Sequence, residues 1–563
     1  MTISSKIAHI ILIPCIILAC DGKKNQEQIE TELQSISLSR GDIALCGSES
    51  GQFGTVEFSL SCAEKVRLNF NLATALLHSF EYTDAEKVFA KVIDEDPECV
   101  MAYWGVAMCN FHPLWAPPSQ TDLQKGSSII TLARSLESKS TRESDYLEAI
   151  ATIYDQWDKL DHHARALKFE KASEKIYEKY PDDNEAAIFY ALALRATASP
   201  SDKSFQNQKK AGEILNKIFE KEPDHPGIAH YIIHTYDYPE LARLALPAAR
   251  KYASIAAASA HAQHMPSHIF TRLGLWDESI QSNINSISAA QCYAQNMGIK
   301  GHWDEELHGL DYLLYAYLQE AKDDKAMEQI EYLKTISEVF PINFKEAYAF
   351  AAMPTRFALE RKDWAEAVQL ELKPANFPWE KFPWEKANVN FGRLLGAVHL
   401  RKLADAKNEL KQLQLIHDKL NEAKDSYRAN LLLIQIKTSE GWIKFAEGQK
   451  ADALSLMSSA ADMEDSTEKE PVTPGEVIPA RELLGDMYLE MGEPAKALEA
   501  YEADLKRHPN RFNGLYGAGR AAEKSGNTKK ALQYYKQLVA FTSSSDHKRP
   551  QREEVELFLR NNN

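Results

Sequence analysis

Two stretches in the last third of the chain carry the same residues at the same spacing. Gly485, Gly492, Ala497 and Tyr501 recur 34 residues later as Gly519, Gly526, Ala531 and Tyr535. A unit of that length cannot bury its apolar face alone, so successive copies must stack, each covering the next. A chain built this way folds as an array of small cores. The small residues fall where two helices of a unit touch, and Pro509 stands where the second helix of the first copy has to stop.

That period, with Leu484-Gly485, Tyr488, Ala497, Tyr501 and Pro509 in the copy from Ile478 to Arg511, is the tetratricopeptide pattern. With the phase fixed, Val66 to Cys99 supplies Ala85, Phe89 and Pro97, and Ile434 onward supplies Gly441, Gly448 and Ala453. Leu307 onward has Ala326 and Ile330, and Tyr348 onward has Asp363, Trp364 and Ala367. Less regular copies start near Val100, Leu192, Pro226 and Ala260. Three insertions interrupt the series: His112 to Leu136, read as a loop on its Pro117-Pro118, then Ala294 to Glu306, then Asp465 to Val477. The expected fold is all-α, a tetratricopeptide-repeat helical solenoid, a right-handed superhelix of antiparallel helix pairs with no sheet of consequence.

The N-terminus has its own order: Lys6, a mostly apolar run Ile7 to Leu18, then Ala19 and Cys20. This is the layout of an export signal, and the run falls short of the ~20 apolar residues that span a bilayer. Ile17-Leu18-Ala19-Cys20 resembles a bacterial lipobox, which implies acylation of Cys20. The expected layout is a lipoprotein signal peptide over 1–19, a tether and N-terminal segment over 20–65 and an irregular solenoid over 66–433. Regular repeats over 434–545 and a tail over 546–563 complete it. The chain as a whole is 44% hydrophobic and 26% charged, and its body is globular rather than disordered. A net charge of −16 without a lysine or arginine block argues against nucleic acid as partner. Cys15 and Cys20 belong to the export segment, which leaves Cys46, Cys62, Cys99, Cys109 and Cys292, an odd set that permits a bridge from Cys46 to Cys62 and does not fix the connectivity.

In the tetratricopeptide family, positions 2, 5, 9, 12 and 13 of the unit point from the first helix into the concave groove. On that grid His261, His264 and His268 take positions 2, 5 and 9 of the copy at Ala260, and His230 and His234 take positions 5 and 9 of the copy at Pro226. His230/His264 and His234/His268 are each one repeat apart, and each i, i+4 pair shares a helix face. Imidazoles gathered in one cavity suit borderline metals such as zinc, copper or iron. His230, His234, His264 and His268 are therefore the leading ligand candidates, with His78, His112, His261 and His308 as further ones and Asp311 extending the polar line. His302 also follows His268 by 34 residues, but it lies in an insertion and the match is read as coincidence.

His230-Tyr-Ile-Ile-His234 and His264-Met-Pro-Ser-His268 both lack the glutamate of a zincin. Paired HxxxH helices occur in dinuclear copper and iron proteins, yet nothing in the sequence selects an oxidation chemistry. The competing reading has these histidines contact a substrate, bond to one another, or stack on Tyr231, Tyr236 and Trp104; Met108, Cys109 and Met265 read as core. Arg356, Glu482, Asp486 and Arg520 fall on groove positions and would make the far end of the groove mixed in charge, with Tyr516 beside them. No nucleophile elbow, phosphate loop or other catalytic set is recognisable.

Leu76-Leu-His-Ser-Phe80, Ala102-Tyr-Trp-Gly-Val106, His112-Pro-Leu-Trp115, His230 to His234 and His264-Met-Pro-Ser-His-Ile-Phe270 together resemble a family of exported bacterial tetratricopeptide-repeat proteins. Pro474-Gly475 and Pro479-Ala-Arg-Glu-Leu-Leu-Gly485 add to it, and the likeness runs from about Gly54 to the end. It implies the fold and export and says little about a reaction. The leading functional expectation is a membrane-tethered scaffold, facing the periplasm or the outside, that holds a protein or peptide in its groove. The alternative is a metal-binding protein or metalloenzyme built on the histidine cluster. A third, support of uptake at the outer membrane, rests on the anchor alone.

Overall fold

The computed structural model describes residues 26–44, 46, 52–114, 117–137, 139–199, 202–468, 473–546 and 548–562. The export segment with Cys20, and Trp115, lie outside the described residues. Helices follow one another in antiparallel pairs, from Arg67–His78 with Tyr82–Glu95 to Phe512–Lys524 with Thr528–Phe541, and Pro550–Asn562 closes the series. The strands among the described residues are two-residue segments, His302–Trp303 and Val339–Phe340, paired in parallel. The chain is an all-α tetratricopeptide-repeat solenoid.

The recurring glycines and tyrosines are partners across a pair. A Cβ on Gly485 would lie 2.8 Å from the Tyr501 ring, and one on Gly519 would lie 2.3 Å from the Tyr535 ring. Each tyrosine therefore lies flat on the backbone of the preceding helix, an approach that only glycine permits. Gly105 under Phe89 and Gly126 under Tyr154 repeat the device with another ring.

Two readings of the repeat phase are corrected. Most of the expected loop from His112 to Leu136 is the helix Gln120–Arg134, started by a reciprocal cap between Ser119 and Asp122. Its Gly126, Ser127 and Ser128 are weak helix formers, and packing of Gly126 under Tyr154 overrides their propensity. The pair Thr141–Tyr154 and His162–Lys179 stands where no copy was expected, and the pair placed near Leu192 starts at Asn184.

The superhelix is wound tightly enough to touch itself. The helix Pro226–Tyr236 packs on Arg67–His78, so a Cβ on Gly227 would lie 2.5 Å from the His78 ring. Further on, the C-terminal repeats fold back: Trp276 Nε1 donates to the Asn510 carbonyl at 2.8 Å, and Arg511 donates to Tyr315 Oη at 2.8 Å. The N-terminal segment adds an extended strap. Thr55 N–H donates to the Asp224 carbonyl at 3.1 Å, Ala258 N–H donates to the Gln52 carbonyl at 3.0 Å, and Phe58 packs among Phe70, Trp104 and Tyr146.

The Cys46–Cys62 bridge does not form: Cys46 pairs with Cys292 and Cys62 with Cys99, at Cα separations of 5.9 and 4.9 Å. Cys109 is a buried free thiol. The concave side around residues 226–311 is thus filled by protein.

Candidate metal centre

Four helices deliver the central histidines. Pro226–Tyr236 carries His230 and His234, Ala260–His264 carries His261 and His264, Pro266–Leu273 carries His268, and Asp304–Gln319 carries His308. Pro266 has no N–H to continue the preceding helix, so the chain restarts there as a new one. The register survives the break, and His268 still faces His264. Gly274, at φ +64°, ends this second segment by packing against the Pro509 carbonyl.

The six rings divide into two triads, His230/His234/His261 and His264/His268/His308. Within each triad one nitrogen per ring lies within 4.8 Å of the others. No ring is more than 7% exposed. The four leading candidates are therefore brought together two by two, and His261 and His308 complete the sets.

The outer nitrogens fix which atoms face inward. His230 Nδ1 lies 2.6 Å from the His78 carbonyl oxygen, so it carries the proton and leaves the Nε2 lone pair pointing at His261 Nε2, 3.1 Å away. His264 Nδ1 lies 2.7 Å from Asn283 Oδ1, and the Asn283 amide nitrogen donates to the Ser279 carbonyl, so His264 Nδ1 is also the donor. His268 Nδ1 donates to Asp237 Oδ2 at 3.1 Å, while Arg272 Nε holds Asp237 Oδ1 at 2.9 Å. His264 Nε2 and His268 Nε2 thus face each other 3.0 Å apart, a separation that a proton or a metal cation would bridge. In the first triad His234 Nε2 is buried with no hydrogen-bond partner. Outer nitrogens held by a carbonyl, an amide and a carboxylate are the supports that metal-bound histidines use.

Burial holds His230, His234, His264 and His308 well below the ordinary imidazole range and pushes His261 down to about 3. Neighbouring rings push the same way: His268 acts on His230, His234 and His261, and His261 acts on His264. These five rings are kept neutral, the form that ligates metal. Three nitrogens per triad, with no carboxylate among them, suit copper and zinc and suit iron less.

Other candidates are placed elsewhere. His78 and His225 clasp the Glu185 carboxylate at 3.0 and 3.1 Å, and the His78 ring also bonds Tyr231 Oη, so His78 reaches the centre only through its carbonyl. His112 packs on the Tyr82 ring, outside both triads. Asp311 pairs with Arg356, and the polar line stops there.

Two of the four expected groove contacts are interior. Arg356 and Glu482 are 0% exposed, Glu482 is held by Arg511, and Asp486 is held by Lys362 and Tyr501. Arg520 donates to Tyr516 Oη at 2.9 Å near the end of the solenoid. Back-packing of the C-terminal repeats turns the Arg356 and Glu482 positions into core. The supports Asp237 and Asn283 were missed: Asn283, a polar residue on the inner face of the long helix Trp276–Asn296, is the one with a readable signal.

A family model described as tetratricopeptide repeat matches residues 483–546. No curated protein matches the sequence. Among solved structures, the human IFIT1 dimer with m7Gppp-AAAA is 12% identical with a TM-score of 0.32, over 78% of this chain and 90% of that one. The human IFIT1 dimer with PPP-AAAA is 12% identical with a TM-score of 0.34, over 91% and 99%. The P58(IPK) TPR domain is 14% identical with a TM-score of 0.20, over 67% and 99%. The tetratricopeptide match falls on the same residues whose 34-residue recurrence set the phase of the whole solenoid.

Proposed function

We propose that this chain is a metalloprotein that holds two transition-metal ions, one in each histidine triad, inside a helical-repeat body. The observation that carries the reading is the gathering of six buried imidazoles into two triads, with His264 and His268 facing each other through Nε2 atoms 3.0 Å apart while both Nδ1 atoms are engaged elsewhere. Desolvating six imidazoles in one region is unfavourable without a cation to gather them. The body is read as exported and lipid-tethered at Cys20, and its two disulfides suit an oxidising compartment. A protein-binding scaffold is the other use of such repeats, supported by the family match at 483–546, but it leaves the six histidines without a role.

The test is metal analysis by mass spectrometry on the full chain, purified without affinity tag or chelator. About two copper or zinc ions per chain are expected. In the His234→Ala/His268→Ala variant metal should fall to background while the circular dichroism stays that of a helical protein. Wild-type protein that carries no metal and takes up neither copper nor zinc would overturn the reading.

A further inference from the structure

We propose that the two triads form one dinuclear copper centre that binds dioxygen between its metals. This rests on the metal-binding reading above and adds to it the metal, the distance relation and the ligand.

The triads are neighbours by construction. His261 of the first and His264 of the second sit on the same five-residue helix, one turn apart, which puts their Cβ atoms about 5–6 Å from each other. The helix of His230 and His234 packs on that of His268, and the helix of His261 and His264 packs on that of His308. Two metals held this way are neighbours and not remote, independent sites.

The donor set and its surroundings favour copper. Neutral nitrogen donors rank copper first among the divalent metals, and cuprous copper accepts three of them. Charge points the same way. The carboxylate nearest the ligands is that of Asp237, and Arg272 already neutralises it. Lys345 is a buried cation whose charge reaches His261, His264 and His308, and Asp304 and Glu305 bind it. A monovalent ion bound by three neutral ligands adds the least uncompensated charge to such an interior.

Burial limits what can reach the metals. With no ring more than 7% exposed, a peptide or sugar does not fit, whereas a diatomic molecule needs only the fluctuations of packed side chains. The step balances without a further reactant. Each of two cuprous ions gives one electron to dioxygen, the O–O double bond becomes a single bond, and peroxide bridges two cupric ions with no proton transferred. Release of dioxygen reverses it.

The experiment loads the full chain with cuprous copper under anaerobic conditions and then admits dioxygen. One dioxygen per two coppers should be taken up, with a strong near-ultraviolet charge-transfer band, a peroxide stretch in the resonance Raman spectrum and no electron paramagnetic resonance signal. His308→Ala, checked for unchanged helix content, should keep one copper and lose dioxygen uptake entirely instead of by half. Two bound coppers that take up no dioxygen, or that oxidise to isolated paramagnetic ions, would overturn this inference and leave the metal reading standing. Protein that holds two zinc ions and rejects copper would do the same. Protein that takes up no metal would overturn both.

Discussion

His264 and His268 face each other through Nε2 atoms 3.0 Å apart, while the far nitrogen of each ring is held by an oxygen, Asn283 Oδ1 for one and Asp237 Oδ2 for the other. The two outer bonds leave both Nε2 atoms facing inward. The pair is thus preorganised for a positive ion, and its second contacts come from residues outside the histidine phrases.

Replacing Asn283 by Ala removes the acceptor of His264 Nδ1–H without touching a ligand. Losses of such supports lower metal affinity by about 10- to 100-fold. The expected outcome is that drop at one of the two metals, with the other unchanged, read by competition against a chelator of known affinity. Equal affinities in variant and wild type would remove the second triad from the site.

Much of this was legible in the sequence and some was not, for identifiable reasons. Glycine and tyrosine recurring at 34 residues gave the architecture because their contact is local to one helix pair. The same grid found His230, His234, His264 and His268 on facing helices, and ranked His261 and His308 second. What it did not yield was closure. Contacts such as Trp276 to Asn510 join residues 234 positions apart, and no periodicity within a repeat reports on them. Groove positions such as Arg356 and Glu482 therefore read as surface and are core. The disulfide from Cys46 to Cys292 likewise joins residues 246 positions apart.

Arg511 is 0% exposed and donates to both oxygens of Glu482 and to Tyr315 Oη, with Glu360 2.8 Å away. Arg511→Met leaves two buried carboxylates without their cation, and breaking a buried pair from one side destabilises by about 3–5 kcal/mol. Urea unfolding should register that loss. A groove contact in solvent would instead change stability by no more than about 0.5 kcal/mol, and that result would contradict the closed arrangement.

Peptide mapping without reductant should recover Cys46 linked to Cys292 and Cys62 linked to Cys99, with Cys109 alkylated only after unfolding. The first link spans 246 residues, so in the chain-entropy model its removal by Cys46→Ser costs up to about 5 kcal/mol. A peptide joining Cys46 to Cys62 would mean that the strap does not lie across the superhelix.

His508 supplies a pH dependence that is separate from the metal centre. Its Nδ1 lies 2.8 Å from Asp504 Oδ1 and its Nε2 3.2 Å from Glu476 Oε2, with Glu464 and Arg507 close by. Burial opposes the imidazolium, but the two carboxylates win and the group is pushed up to about 10. The unfolded chain releases this proton near its ordinary value of about 6.5. The stabilisation is thus fully present below that value and is lost as pH rises towards 10. Glu81 and Glu346, held protonated by burial up to about 8, weaken the fold over the lower part of the same window. The measurement is therefore a difference: urea midpoints of wild type and His508→Gln at steps from neutral pH to pH 10. The gap between the two proteins should be widest at neutral pH and close towards pH 10. A gap that stays constant would mean that the Asp504 and Glu476 carboxylates do not hold a proton on His508.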